Sequence, residues 1–232
     1  MSSGESVLPG KGKTDYEKYL SVVDLLACQK APEALVHHDE LMFQIVHQTA
    51  ELWMKLQLHE LRAVKARIEA GDCLRAVSHL NRVVVIQKLL TQQLHLLDTM
   101  SPWDYHTIRA TLGKGSGQES PGFQQLLLMG PTLWPPFERL LASHEVALPD
   151  LIVNKDDRYP LFLLAEALLG FDEHFQLWRY HHLKIVEREI GGKVKSLKGR
   201  AVDYLTENIQ QRFFPELWDV RNTLTHRAGT SY

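Results

Sequence analysis

At 232 residues, 44% of them hydrophobic and 23% charged, the chain is long enough for one large domain with a substantial core. Its formal net charge of -2 gives no overall pull toward nucleic acid or anionic lipid, so partners must be sought at sites. Cys28 and Cys73 lack CxxC spacing, which argues against a disulfide framework or a zinc knuckle and for a reducing, cytoplasmic setting; the polar start MSSGESVLPGKGKTD carries no apolar signal core, and no run reaches the ~18 apolar residues of a membrane span.

In chain order the pattern is helical throughout. Residues 1–13 read as a flexible segment and 14–232 as a single all-α domain. TDYEKYLSVVDLLACQ predicts a short helix with Thr14 or Asp15 as its cap. From about His38 to Ala70, apolar residues recur at Leu41, Ile45, Leu52 and Leu56 with three-to-four spacing until Gly71 and Asp72 stop the helix. A second long helix, Cys73 to about Thr99, carries Leu80, Val83, Val84, Gln87, Leu90 and Leu94, and the tight turn between the two makes them antiparallel neighbours. LGKGSGQESPG reads as a loop, and Pro131, Pro135 and Pro136 break the next segment before a short helix begins. Periodicity returns from about Pro160 to Glu189, stops at Gly191-Gly192 and the basic loop KVKSLKGR, and resumes from about Ala201 to Thr223.

Among 12 histidines, two stand on apolar helix faces. His47 falls among Phe43, Ala50 and Met54, and His182 stacks over Phe171, Phe175, Trp178 and Ile185, whereas its neighbour His181 shares a polar face with His174, Leu177, Lys184 and Arg188. Such rings are often core histidines bonded to a backbone or carboxylate partner. A metal is the sharper reading. No HExxH and no ExxH occurs, so a zinc protease or di-iron bundle lacks its ligands, while a haem needs as little as one axial histidine in an apolar, aromatic slot.

The segments HHDELMFQIVHQTAELWMK, SPWDYHTIRATLG, FQLWRYHHLKIVEREIGG and FFPELWDVR resemble the signature blocks of the tryptophan 2,3-dioxygenase family, in that family's order. The resemblance implies an all-helical haem b protein, assembled as a homotetramer, that uses ferrous haem and dioxygen to cleave the indole C2–C3 bond of L-tryptophan to N-formylkynurenine. Carried over by position, it makes His182, eight residues before Ile190, the haem iron axial ligand. It makes His47 the distal catalytic histidine that meets the indole N–H, and Phe43 the ring packed on the substrate. Arg109 becomes the clamp on the substrate carboxylate, with Tyr105 one turn before it; a guanidinium suits this because its planar fork engages both oxygens. Tyr16, Tyr19 and Leu20 fall on a motif that completes the pocket of a neighbouring subunit.

Where the family has a Thr-Gly-Gly-Ser-Ser-Gly lid, this chain has KSLKGR: Ser196 keeps a hydroxyl for the substrate, but Leu197 and Lys198 replace glycines and stiffen or reshape the loop. The loop after Arg109 is longer than the family's, and the stretch between Phe123 and Phe171 is shorter. Three functions are open at this level: a dioxygenase acting on tryptophan or a substituted, for example methylated, tryptophan; a monooxygenase of the same pocket giving a 2-oxindole; and a non-catalytic haem or indole binding module. The last needs no carboxylate clamp, which Tyr105 and Arg109 provide.

Overall fold

The computed structural model describes residues 7–192 and 211–229, and among them there is no strand. The chain begins with two short helices, α1 (Asp15–Tyr19) and α2 (Val22–Leu25), where the sequence predicts one. Thr14 caps α1 through a reciprocal box with Glu17, but Ser21 takes a φ of 51°, a left-handed conformation that ends the first helical run.

Two long helices follow, α3 (Glu40–Glu69) and α4 (Cys73–Leu97). Gly71, at φ 72°, makes the turn between them, a conformation only glycine takes without strain, and Asp72 caps α4 by accepting from the Arg75 backbone N–H at 3.3 Å. The antiparallel pairing read from the sequence is present, and α4 also packs along the other long helix, α9 (Tyr159–Ile190). On α4, Leu80, Val83, Ile86, Leu90 and Leu94 are all buried, as expected for a central helix contacted from both sides.

The apolar stripe by which α3 was recognised is not the one it buries. Leu41, Ile45, Leu52 and Leu56 are exposed, whereas Val46, Met54, Leu61, Val64 and Ile68 face the core. A helix with two apolar stripes shows the same period from either side, so periodicity identifies the helix without choosing its inner face.

Short helices close one end: α5 (Pro102–Arg109), α6 (Pro121–Met129), α7 (Trp134–Ser143) and α8 (Leu148–Val153). Pro135 and Pro136 lie in the first turn of α7, where a missing N–H costs nothing, so the prolines start this helix rather than delay it. The final helix, α10 (Pro215–Arg227), is docked by a buried carboxylate: Asp172 Oδ2 accepts from the backbone N–H of Phe213 at 3.0 Å and Phe214 at 3.2 Å, and from Trp218 Nε1 at 3.0 Å. That places the FFPELW segment against α9 ten residues before His182. The first half of the helix expected from Ala201 lies outside the described residues. No helix among the described residues is long and apolar enough to cross a membrane.

Candidate functional site

The two singled-out histidines converge. α3 and α9 each pack along α4 but make no comparable contact with each other, and the space between them is the candidate cleft. His47 reaches it from α3 and His182 from α9, close enough that a charge on His47 disfavours one on His182. Burial is the main cause that lowers His182, to about 4, with His47 and then His181 adding to it, so this imidazole is neutral with a free lone pair at any ordinary pH. Its ring stacks on Trp178 at 5.7 Å between centroids, and Trp178 in turn meets Phe123 at 5.5 Å.

His47 is open to solvent at one edge, yet enough protein surrounds the ring for desolvation to lower its pKa against the opposing pull of the Phe43 carbonyl and Glu51. Its Nδ1 lies 2.6 Å from the Phe43 carbonyl one turn back. A carbonyl only accepts, so Nδ1 carries the proton, and in the neutral ring Nε2 is left as an acceptor. Phe43 packs against the His47 ring at 4.1 Å and against Tyr105 at 6.1 Å, joining α3 to α5.

Helix α5 begins with Ser101 as cap, accepting from the Asp104 backbone N–H at 3.2 Å, and Pro102 in its first turn. α5 packs against α9 with Ile108 fully buried, and Tyr105 and Arg109, one turn apart, share a face of the helix. Both are half-buried. Burial pushes the Tyr105 phenol up; the Arg109 charge opposes this and the Glu189 charge adds to it, so all three groups lie within electrostatic range. The Arg109 guanidinium makes no hydrogen bond or ion pair with any described residue.

Phe43, His47, Tyr105, Arg109 and His182 thus form one connected cluster, joined by ring contacts and electrostatic coupling. Tyr16 and Tyr19 on α1 and Leu20 just after it are exposed and share no ring contact with these groups. Ser196 and the KSLKGR loop lie outside the described residues. An open groove lined by Leu25, Cys28, Gln48, Glu51, Leu52 and Gln125 includes none of the five.

Two groups gained importance only from packing. Asp98, at the end of α4, receives His95 and His181 at 3.2 Å each and Arg188 at 3.1 Å, and those contacts draw its carboxyl down despite partial desolvation; they tie α9 to α4 beside His182. Glu189 is buried, with Oε2 unpaired. Neither is marked by spacing in the sequence.

Comparison with known proteins adds an independent line. A family model described as tryptophan 2,3-dioxygenase matches residues 3–130, a span that includes Phe43, His47, Tyr105 and Arg109. A tryptophan 2,3-dioxygenase from Kineococcus radiotolerans is 34% identical over 90% of this chain and 91% of its own length. Those of Serratia proteamaculans and Myxococcus xanthus are 30% and 33% identical, over 91% and 92% of this chain and 94% and 91% of their own lengths.

Proposed function

Because the chain belongs to the tryptophan 2,3-dioxygenase family, we propose that it is a haem-dependent dioxygenase that opens the indole ring of L-tryptophan with O2. The observation that carries the reading beyond family membership is the pair His47 and His182, brought within electrostatic range of each other from α3 and α9 and linked through Phe43 and Tyr105 to an arginine whose guanidinium has no partner among the described residues.

The donor set fits haem b. His182 would hold the iron, since burial keeps its ring neutral and its lone pair available, and Trp178 and Phe123 give the slot an aromatic wall. When bound, the haem would supply the dioxygen chemistry that no side chain can perform. The protein's part is binding, orientation and exclusion of water.

Arg109 engages the carboxylate of the amino acid through two parallel N–H bonds, which its lack of any other partner leaves it free to make. Phe43 packs on the indole face. His47 accepts from the indole N–H at Nε2, a role set by the proton that the Phe43 carbonyl holds on Nδ1. The ring N–H and the carboxylate together fix the indole in the plane and along its length. Ser196 adds a hydroxyl from the altered loop.

The assembly we propose is a homotetramer. The exposed stripe Leu41, Ile45, Leu52 and Leu56 supports this, being apolar surface of the kind that marks an interface, and Tyr16, Tyr19 and Leu20 are then free to complete a neighbour's pocket. A reducing cytoplasm agrees with two free thiols, Cys28 and Cys73.

The test of the haem assignment is His182→Ala. The variant is expected to lose haem while keeping its helical content, read from the Soret absorbance per chain beside circular dichroism. Haem retained at the wild-type ratio would overturn the assignment.

A further inference from the structure

Asp98 ends α4 with two imidazoles aimed at one of its oxygens. His95, one turn before it, places Nδ1 3.2 Å from Oδ2, and His181 reaches the same oxygen from α9 with Nε2 at 3.2 Å. These three donor atoms all lie within 4.8 Å of one another, and the two rings meet edge to face at 4.6 Å between centroids. Arg188 takes the other oxygen, Nη1 to Oδ1 at 3.1 Å, and so leaves Oδ2 to the histidines.

Hydrogen bonds alone would account for these contacts, but donor type, spacing and charge together favour a cation. Two imidazoles and a carboxylate suit zinc, whereas magnesium and calcium want oxygen alone. Tetrahedral zinc with bonds of about 2.0 Å sets its ligands about 3.3 Å apart, the separation already found along two edges of this triangle. The cluster stands at the C-terminal end of a 25-residue helix, whose last carbonyls attract positive charge. The buried carboxylate of Glu189, with Oε2 unpaired, lies within electrostatic range of Asp98, so two carboxylates face the single guanidinium of Arg188.

We propose that His95, Asp98 and His181 form a binding site for a divalent cation of the zinc type, completed by water, which clamps α9 to α4 one residue before His182. The ion takes the place of the two protons now shared with Oδ2, and each ring then carries its proton on its other nitrogen. His95 is largely exposed and gives the ion its way in. The site shares no ligand with the haem assignment and does not rest on it.

The test uses zinc itself. The purified protein is stripped of loosely held metal with a chelator, dialysed to equilibrium against micromolar zinc and analysed for zinc per chain, with His95→Ala and His59→Ala beside the wild type. The wild type is expected to hold a zinc ion that His95→Ala binds about tenfold more weakly or worse, while His59→Ala, at an exposed histidine elsewhere on α3, binds as the wild type does. Because the His95 side chain is 60% exposed, its removal tests ligation without emptying the core. Zinc is also expected to raise the Tm of the wild type and not that of His95→Ala, and magnesium to raise neither. Equal zinc affinity in the wild type and His95→Ala, or no zinc held at micromolar concentration, would overturn the proposal and leave the cluster as hydrogen bonds that tie α9 to α4.

Discussion

A proton decides what His182 can do. Its folded pKa, lowered to about 4, sits below the ordinary histidine value, and that of His47 is also lowered. The unfolded chain therefore binds more protons than the folded one at mildly acidic pH, so the stability these rings leave intact above pH ~6.5 is lost as pH falls toward about 4. Haem-free protein is expected to show a falling urea midpoint between pH 7 and pH 5, with a shallower fall in His182→Leu; identical slopes would contradict this. At this scale the sequence was informative where a face is uniform. His182 stood out because Phe171, Phe175 and Trp178 share its stripe, and all three are buried. Glu189 did not, since VEREIGG reads as a charged helix end in which Glu187, Arg188 and Glu189 look alike. Only tertiary packing buries Glu189 and leaves Arg188 outside.

Among the elements, α9 does the most to position the site, and it is held from two sides. Asp98 fastens it to α4 near His182, and Asp172 fastens the FFPELW segment to its middle. Phe213 then stacks on Phe171 at 5.4 Å, with Gly130 beneath it: a methyl group at Gly130 would come 2.7 Å from the Phe213 ring. Asp172→Ala would leave two buried backbone N–H groups and the Trp218 indole unpaired, at an expected cost of about 3 kcal/mol in chemical denaturation. A loss under about 1 kcal/mol would mean that the aromatic stack alone docks α10. The long helices were legible because α3, α4 and α9 have strong periods and clear stops. The single helix expected over 14–29 was not borne out, because Ser21 adopts a left-handed backbone that no local pattern announces.

At the scale of the whole molecule, the outward stripe of α3 is the part that periodicity could not assign, because one chain's surface and another chain's core have the same composition. If the stripe is an interface, Leu52→Glu, at a residue 49% exposed in the isolated chain, is expected to shift the sedimenting species from tetramer toward monomer without altering the helical spectrum. An unchanged tetramer would place the interface elsewhere. The decisive measurement is the mass of the product formed from L-tryptophan by the reduced, haem-loaded protein under 18O-labelled dioxygen. A ring-opened product carrying both labelled atoms is expected, whereas a product with the ring intact and one labelled atom, or none, would rule out ring cleavage by dioxygenation.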